Sequence, residues 1–228
     1  MLNNYAIGIL IAIGLAVLFG NGSVYVFNRL PLEWFDDRDE KARERKSLNG
    51  APWKYIFTGL FLVVGIYLTL TSSVKFEIAT MTMLFVVLEM AIADQNYRIV
   101  PNQLMFLLAL SAIGFIGYND QWWEAALGCG FGLALGIAEL GLGLLIYKKA
   151  ALGGADIKFL ACMGLVAGRR GIIAIFIIMT LLFAAQSAYM LATKRIKRDQ
   201  GLPLMPAAFV ATLIYFVFLY NTIDILTL

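Results

Sequence analysis

Histidine is absent from the 228-residue sequence, and cysteine occurs only twice. Without imidazole, neither a Ser-His-Asp triad nor a zinc site with histidine ligands can form. Two cysteines exclude a four-cysteine zinc site and a disulfide framework. Charged residues are also scarce, at 14% of the chain, against roughly 25% in soluble domains. Hydrophobic residues make up 61%, which excludes intrinsic disorder and indicates a membrane protein.

Eight apolar runs, almost free of charge, follow one another along the chain. Most contain 16 to 24 residues, and about 20 helical residues cross the apolar core of a bilayer. Because lipid offers the backbone no hydrogen-bond partner, each run is predicted to be a helix. The runs are Tyr5–Asn28, Tyr55–Val74, Ile78–Ala93, Gln103–Tyr118, Ala125–Tyr147, Phe159–Gly168, Gly171–Thr193 and Leu204–Ile223. The sequence therefore predicts an all-α, polytopic membrane protein: a bundle of about eight transmembrane helices in a single integral membrane domain, residues 1–228.

The sixth run, Phe159–Gly168, has only ten residues and would cover roughly 15 Å, about half of a bilayer core. The distribution of basic residues nevertheless favours its crossing the membrane. If all eight runs cross and the N-terminus faces out, 15 of the 18 Lys and Arg residues lie on the cytoplasmic side. Only Lys75, Arg169 and Arg170 then lie on the other side, as the positive-inside rule expects.

The polar segment between the first two runs, residues 31–54, is predicted to be a cytoplasmic loop without a zinc site. Its part Glu33–Gly50 is rich in acids in the first half and basic in the second. A solvated loop or short surface helix is the simplest interpretation. A docking surface for a charged partner is the functional alternative.

Two aspartates lie beside apolar runs, at similar depth on the predicted cytoplasmic side. Asp94 directly follows the third run, and Asp156 precedes the sixth, 62 residues later. Two carboxylates at one depth on neighbouring helices can share a proton and activate water without a metal. Taken singly, Asp94 is also explained as a carboxylate at a helix end, and Asp156 as an N-cap. Their matched depth favours a catalytic dyad.

The residues around the aspartates add to this interpretation. Gly153-Gly154 allows backbone conformations closed to other residues, and a close approach of a substrate strand. Lys158 can extend its ammonium group to the membrane interface. Pro101-Asn102 is predicted to be the turn at which the fourth helix starts.

Glu139 and Glu89 are the other acids considered within the apolar runs. Three glycines spaced four residues apart, Gly128 to Gly136, form a pattern that packs helices closely, and Glu139 continues their face. Glu139 is therefore predicted to point into the bundle. A structural role is favoured, with a hydrogen bond to the substrate as the alternative. Glu89 lies about 140° round the helix from Asp94 and receives no role.

The segments ADQNYRIVPN and GGADIKFLACMGLVAG together resemble the two signature segments of type IV prepilin peptidases, membrane aspartyl proteases with a G-x-G-D motif. The resemblance assigns Asp94 and Asp156 to the two catalytic positions. The residues that match the rest of the two motifs are Arg98, Pro101, Asn102, Gly153, Gly154 and Lys158. Arg29-Leu30-Pro31 and the paired prolines at 203 and 206 are also similar to the family, so the resemblance covers nearly the whole chain.

Three departures from the family pattern stand out. Ala155 replaces the third glycine of the motif, which would cost on the order of 1 kcal/mol if the position required a positive φ. Val100 replaces isoleucine before the proline, a conservative change. Many bacterial members carry two C-x-x-C pairs in the first cytoplasmic loop and N-methylate the processed pilin, whereas this loop has no cysteine. No metal and no cofactor are expected, and S-adenosylmethionine would be needed only if a methyltransferase activity is retained.

The resemblance implies an aspartic-type endopeptidase that removes the basic leader of type IV prepilins or pseudopilins. The enzyme would lie in a bacterial cytoplasmic membrane with its active site facing the cytoplasm, and no nucleic acid is expected as a partner. A basic leader would find acidic partners in the polar loop, at Glu33, Asp36, Asp37, Asp39 and Glu40. Two alternatives remain: a small proton-coupled transporter that uses buried carboxylates, and a non-catalytic membrane subunit of pilus assembly.

Overall fold

The computed structural model describes residues 2–35, 44–118, 121, 123–147, 153–194 and 202–220. Within these ranges every regular element is helical, which confirms the predicted all-α class. The α-helices are α1 (Leu2–Arg29), α2 (Gly50–Thr71), α3 (Val74–Tyr97), α4 (Asn102–Ser111), α5 (Trp123–Tyr147), α6 (Gly154–Ala192) and α7 (Met205–Ile214). Short 3-10 helices follow α1 and α4, at Leu32–Phe35 and Ala112–Phe115, and a π-helical turn, Tyr215–Leu219, follows α7.

Five of these helices are long and apolar enough to cross a membrane: α1, α2, α3, α5 and α6. The fourth and eighth apolar runs form shorter helical stretches, Asn102–Phe115 and Met205–Leu219. The prediction that these two runs are helical is confirmed. The fourth run was predicted to end at Tyr118, three residues too late, because a charge-free run counts apolar turn residues along with the helix. The predicted end of the eighth run, Ile223, lies outside the described residues.

The sixth and seventh apolar runs form one 39-residue element, α6, which Gly168 interrupts. Gly168 has φ 69° and ψ −179°, a conformation that is essentially restricted to glycine. The interruption adjoins Arg169-Arg170, where the charge pattern placed the boundary between the two runs. The first part of α6 begins at Gly154, five residues before the predicted start, because an acid in the first turn is favourable at a helix N-terminus.

The chain divides between Leu107 and Leu108, within α4, into two compact units. In the first unit, α1 and α2 form a tightly packed antiparallel pair. A Cβ added at Gly20 would overlap the backbone of Thr58, and one added at Gly65 would lie 2.9 Å from the Cβ of Ala12. Small residues therefore bring the two backbones into contact.

The third helix of the first unit, α3, runs parallel to α1 and is the most buried of the five long helices. The ring centroids of Phe19 and Phe85 lie 4.9 Å apart, and those of Phe27 and Tyr97 lie 6.1 Å apart. From the first contact to the second, the residue numbers increase along both helices, so the two helices run in the same direction. The C-terminal ends of α1 and α3 therefore lie at the same end of the unit.

In the second unit, α5 packs antiparallel to the first part of α6. A Cβ added at Gly128 would overlap the carbonyl oxygen of Gly164, and one added at Gly132 would overlap that of Leu160. A Cβ added at Gly136 would approach Ile157 to within 3.1 Å. The three glycines that the sequence singled out thus form the contact surface for α6, as predicted.

Candidate active site

Asp94 lies in the last turn of α3 and is 9% exposed. The helix continues past the predicted end of the apolar run and stops at Arg98, which has φ 58° and ψ 26°. The N–H of Arg98 donates to the main-chain oxygen of Asp94 over 2.9 Å. Because this left-handed conformation costs a non-glycine residue about 1–2 kcal/mol, Arg98 marks a strained turn directly after Asp94.

The turn between α3 and α4 has the structure that Pro101-Asn102 predicted. The carbonyl oxygen of Pro101 accepts hydrogen bonds from the N–H groups of Leu104 and Met105, and α4 starts at Asn102. Proline is tolerated at this position because a main-chain N–H at the start of a helix would have no partner within the helix. In the first unit, the structure therefore gathers Asp94, Arg98, Pro101 and Asn102 along one helix end and the turn that follows.

Tyr97, one turn after Asp94, is a site residue that the sequence analysis missed. Its side chain is 2% exposed and stacks on Phe35 at a centroid distance of 4.3 Å. Phe35 belongs to the 3-10 helix that follows Arg29-Leu30-Pro31. In the sequence, the only sign of a role for Tyr97 was its position close to Asp94. The contact with Phe35 shows that the chain after α1 packs against the end of α3.

Asp156 lies in the first turn of α6, and the residue at the N-cap is Gly153. The alternative interpretation of Asp156 as the N-cap was therefore wrong by three positions. The N–H of Gly153 donates to Oδ2 of Asp156 over 2.9 Å, which is the carboxylate half of a capping box. The exposed N–H groups of a helix N-terminus carry partial positive charge, so this position stabilises a carboxylate.

The glycine motif does not use the backbone freedom that was predicted for it. Gly153 has φ −79°, and the residues with positive φ in the described part of the chain are Arg98, Lys194 and Gly168. Ala155 lies inside α6 without strain, so its departure from the family pattern carries no backbone cost. At Gly153 glycine still gives room, because an added Cβ would lie 3.3 Å from Oδ2 of Asp156.

Glu139 lies on α5 toward the same end of the α5–α6 pair as Asp156. The register that sets Gly136 against Ile157, continued by one turn, places Glu139 at the level of Gly153. The side chain is half-buried, and its buried Oε2 has no hydrogen-bond partner among the described residues. The buried Oε2 is in line with a side chain that points into the bundle, and the role of Glu139 stays a prediction. Lys158 is exposed, and its predicted reach to the membrane interface stays a prediction.

Two further buried carboxylates lie on α3. Glu77 is fully buried and accepts a hydrogen bond of 2.9 Å from Oγ1 of Thr69 on α2. The sequence analysis missed Glu77 because it adjoins an apolar run instead of lying within it. Glu89 is 1% exposed, and neither of its carboxylate oxygens has a partner among the described residues. Glu77 lies at the opposite end of α3 from Asp94, so we assign it to the contact between α2 and α3.

The predicted docking surface lies only in part within the described residues. Glu33 lies in the 3-10 helix Leu32–Phe35 and is exposed. The other four acids of the predicted leader contact, Asp36, Asp37, Asp39 and Glu40, lie outside the described residues. Across the described ranges, no three His, Cys, Asp or Glu side chains group closely enough to hold a metal ion.

Comparison with known proteins supports the resemblance seen in the sequence. Residues 78–188 match the type IV leader peptidase family, and this range contains both aspartate segments. The prepilin leader peptidase/N-methyltransferase of Bacillus subtilis (strain 168) is 29% identical over 150 residues, which are 65% of this chain and 57% of that protein. The chain thus matches a little over half the length of this relative. No solved structure matches the chain.

Proposed function

We propose that this chain is a membrane aspartic-type endopeptidase that removes the basic leader of prepilins or pseudopilins. The observation that carries the proposal is the family match over residues 78–188, which includes Asp94 and Asp156 together with their motif neighbours. The B. subtilis relative bears the name of a prepilin leader peptidase/N-methyltransferase and is 29% identical to this chain over 150 residues. The composition adds a chemical reason, since a chain without histidine must run hydrolysis on other groups.

In the proposed mechanism, Asp156 acts as the general base on water and Asp94 as the acid that polarises the scissile carbonyl. The N–H of Gly153 and the N-terminus of α6 both favour a carboxylate at Asp156. Asp94 is buried in the last turn of α3. The main-chain carbonyl oxygens at this helix end carry partial negative charge, which disfavours the ionised form of the Asp94 side chain. Two carboxyl groups in different environments can thus take different roles in one hydrolysis.

We further propose that the reaction takes place at the cytoplasmic face of a bacterial cytoplasmic membrane. The charge distribution supports this orientation, because the end of the first unit that carries Asp94 also carries Arg29, Arg45 and Lys46. A substrate with a basic leader and an apolar helix would keep its helix in the bilayer and present the leader to the acids of the polar loop. Whether the proposed enzyme serves pilus assembly or protein secretion would depend on which of these substrates it cleaves.

An N-methyltransferase activity appears in the relative's name but is not part of this proposal. The polar loop of this chain contains no cysteine, since both cysteines lie in α5 and α6. The peptidase mechanism proposed above runs on two carboxyl groups and water, and it needs neither a metal nor S-adenosylmethionine.

The proposal is tested by incubating the detergent-solubilised protein with a full-length prepilin and measuring the product by intact mass. We expect release of the leader at a single peptide bond and an apolar helix left intact. Absence of leader removal by the folded wild-type protein would overturn the proposal.

A proton-coupled transporter is the second candidate, because Glu89 is buried on α3 with no partner for its carboxylate among the described residues. This function does not require either aspartate to touch a peptide. Leader removal that fails in both Asp94→Asn and Asp156→Asn variants would decide for the peptidase. Proton uptake by reconstituted protein that leaves prepilin uncut would decide for the transporter.

A further inference from the structure

An exposed segment, Glu44–Asn49, crosses the end of the first unit that carries Asp94. It contains no helix, and its backbone is held by two buried or half-buried side chains. The N–H of Lys46 donates to the hydroxyl oxygen of Tyr97 over 2.7 Å, and that hydroxyl lies 3.3 Å from the carbonyl oxygen of Lys46, to which it donates. Both main-chain polar groups of Lys46 therefore face α3.

The same arrangement recurs two residues later. The N–H of Leu48 donates to Oδ1 of Asn28 over 2.7 Å, and Nδ2 of Asn28 donates to the carbonyl oxygen of Leu48 over 2.9 Å. The side chains of Tyr97 and Asn28 thus take the place of a neighbouring strand. Each satisfies both main-chain groups of one residue, with the spacing of two that is typical of an extended strand.

The basic side chains of the segment are turned toward helix ends. The Arg45 guanidinium donates to the main-chain oxygens of Asn28 and Leu30, and Nζ of Lys46 donates to the main-chain oxygen of Asn96. Positive charge is favourable at helix C-termini, where carbonyl oxygens lack partners. These contacts hold the segment in place and direct both charges toward α1 and α3.

The opposite edge of the segment follows from this geometry. In an extended chain, the N–H and C=O groups of alternate residues point to opposite sides. Because Lys46 and Leu48 face inward, the main-chain groups of Ser47 point outward. Ser47 is exposed, and its N–H and C=O have no hydrogen-bond partner among the described residues. The segment therefore presents a free strand edge on the side away from Tyr97, the residue one helical turn after Asp94.

We propose that this edge binds the leader of the substrate as an added β-strand, with Ser47 donating to and accepting from its main chain. The inference rests on the proposed function, and it supplies what a protease needs: a peptide drawn out into an extended form before cleavage. The occupant is a basic peptide, because two acids are exposed here: Glu44 in the segment itself and Glu33 in the 3-10 helix that packs on Tyr97. The charges of Arg45 and Lys46 are directed to main-chain oxygens at the ends of α1 and α3. Main-chain pairing would give affinity that depends little on leader sequence.

The first test removes only the outward-pointing main-chain N–H of Ser47. In Ser47→Pro the donor of Ser47 is lost, whereas the inward donors of Lys46 and Leu48 remain and the fixed φ of proline suits an extended segment. We expect kcat/KM for leader removal to fall about tenfold, mainly through KM, as for loss of one hydrogen bond. The matched variant Ser47→Ala removes the side chain but keeps the backbone donor, and it should lose much less kcat/KM than Ser47→Pro does.

A second measurement uses the wild-type enzyme, so that it does not depend on the folding of a variant. Two leader peptides, N-methylated at alternate residues in opposite phase, compete with prepilin for cleavage. One phase blocks the groups that would pair with Ser47, and we expect it to inhibit about tenfold less than the other. Equal inhibition by both phases, or an unchanged KM in a folded Ser47→Pro variant, would overturn the inference. Failure of the wild-type enzyme to cleave prepilin would count against the proposed function instead.

Discussion

The two units of the molecule use the same construction for their helix pairs but carry their aspartates differently. Gly20 brings α1 against α2 in the first unit, and Gly128 brings α5 against α6 in the second. Asp94 lies on a third helix, α3, that packs against the first pair, at the carbonyl end of that helix. Asp156 lies on a helix of the pair itself, at its N–H end. The same residue type thus receives opposite electrostatic surroundings from the direction of its helix.

This difference also predicts which unit is more sensitive to its glycines. A change in the α5–α6 contact moves α6 and therefore Asp156 directly. A change in the α1–α2 contact reaches Asp94 only through α3. Mutations that disturb the two pairs equally should therefore affect the reaction unequally.

Among changes to the helix pairs, the largest expected effect comes from Gly128→Ala. Its new Cβ would overlap the backbone carbonyl of Gly164, which cannot move aside as a flexible side chain can. We expect a loss of about 1–3 kcal/mol in stability, seen as a lower unfolding midpoint in detergent, together with lower leader cleavage. The matched control is Gly130→Ala on the same helix, where nothing lies within 4 Å of an added Cβ.

The same experiment in the first unit sharpens the comparison. Gly20→Ala meets the backbone of Thr58, and its control Gly14→Ala meets nothing within 4 Å. At a similar loss of stability, we expect Gly20→Ala to reduce cleavage less than Gly128→Ala does. Equal losses of cleavage in the two variants would remove the proposed link between α6 packing and Asp156.

A smaller effect is expected from reversing the acids of the polar loop. Changing Glu33, Asp36, Asp37, Asp39 and Glu40 to lysine should raise KM for prepilin about tenfold at low salt, because a basic leader would meet like charge. The increase should shrink as ionic strength rises. A control substrate with a neutral leader should be cleaved equally by both proteins. Unchanged kinetics with the basic leader would exclude these acids as its docking site.

The smallest effect is expected at the two non-glycine residues with positive φ in the described part of the chain, one in each unit. Arg98 has φ 58° and Lys194 has φ 54°, so Arg98→Gly and Lys194→Gly should each raise stability by about 1 kcal/mol. Thermal unfolding in detergent measures both changes. Only Arg98→Gly, next to Asp94, should reduce leader cleavage severalfold. Equal cleavage by the two variants would show that Arg98 serves the helix end alone.

The sequence predicted the helices and the glycine contact well, because both follow from local patterns. Apolar runs define helices that lie in lipid, and the spacing of Gly128 to Gly136 shows the face that another helix can approach. Helix boundaries were less predictable, since Asp156 and Glu77 are charged residues that fit inside a first turn. A run defined by the absence of charge ends before such residues.

The sequence allowed us to predict the two aspartates of the candidate site, but not the contacts that surround them. Asp94 and Asp156 stand out because acids beside apolar runs are rare. The hydrogen bonds that Tyr97 and Asn28 make to the main chain of Lys46 and Leu48 were not predictable, because no sequence pattern marks main-chain groups as partners. The expected role of glycine φ angles at Gly153 failed for a related reason, since the motif starts a helix in which Asp156 itself binds the Gly153 N–H.

The central claim is that Asp94 and Asp156 serve one hydrolytic reaction in complementary roles. It is tested most directly by kcat for prepilin cleavage in Asp94→Asn, Asp156→Asn and the double variant, each checked for its unfolding midpoint. Residues that act as a unit are not additive, so we predict that each single change lowers kcat on the order of 10³-fold or more and that the double variant is no slower. Wild-type cleavage by either single variant, or losses that multiply in the double variant, would contradict the claim.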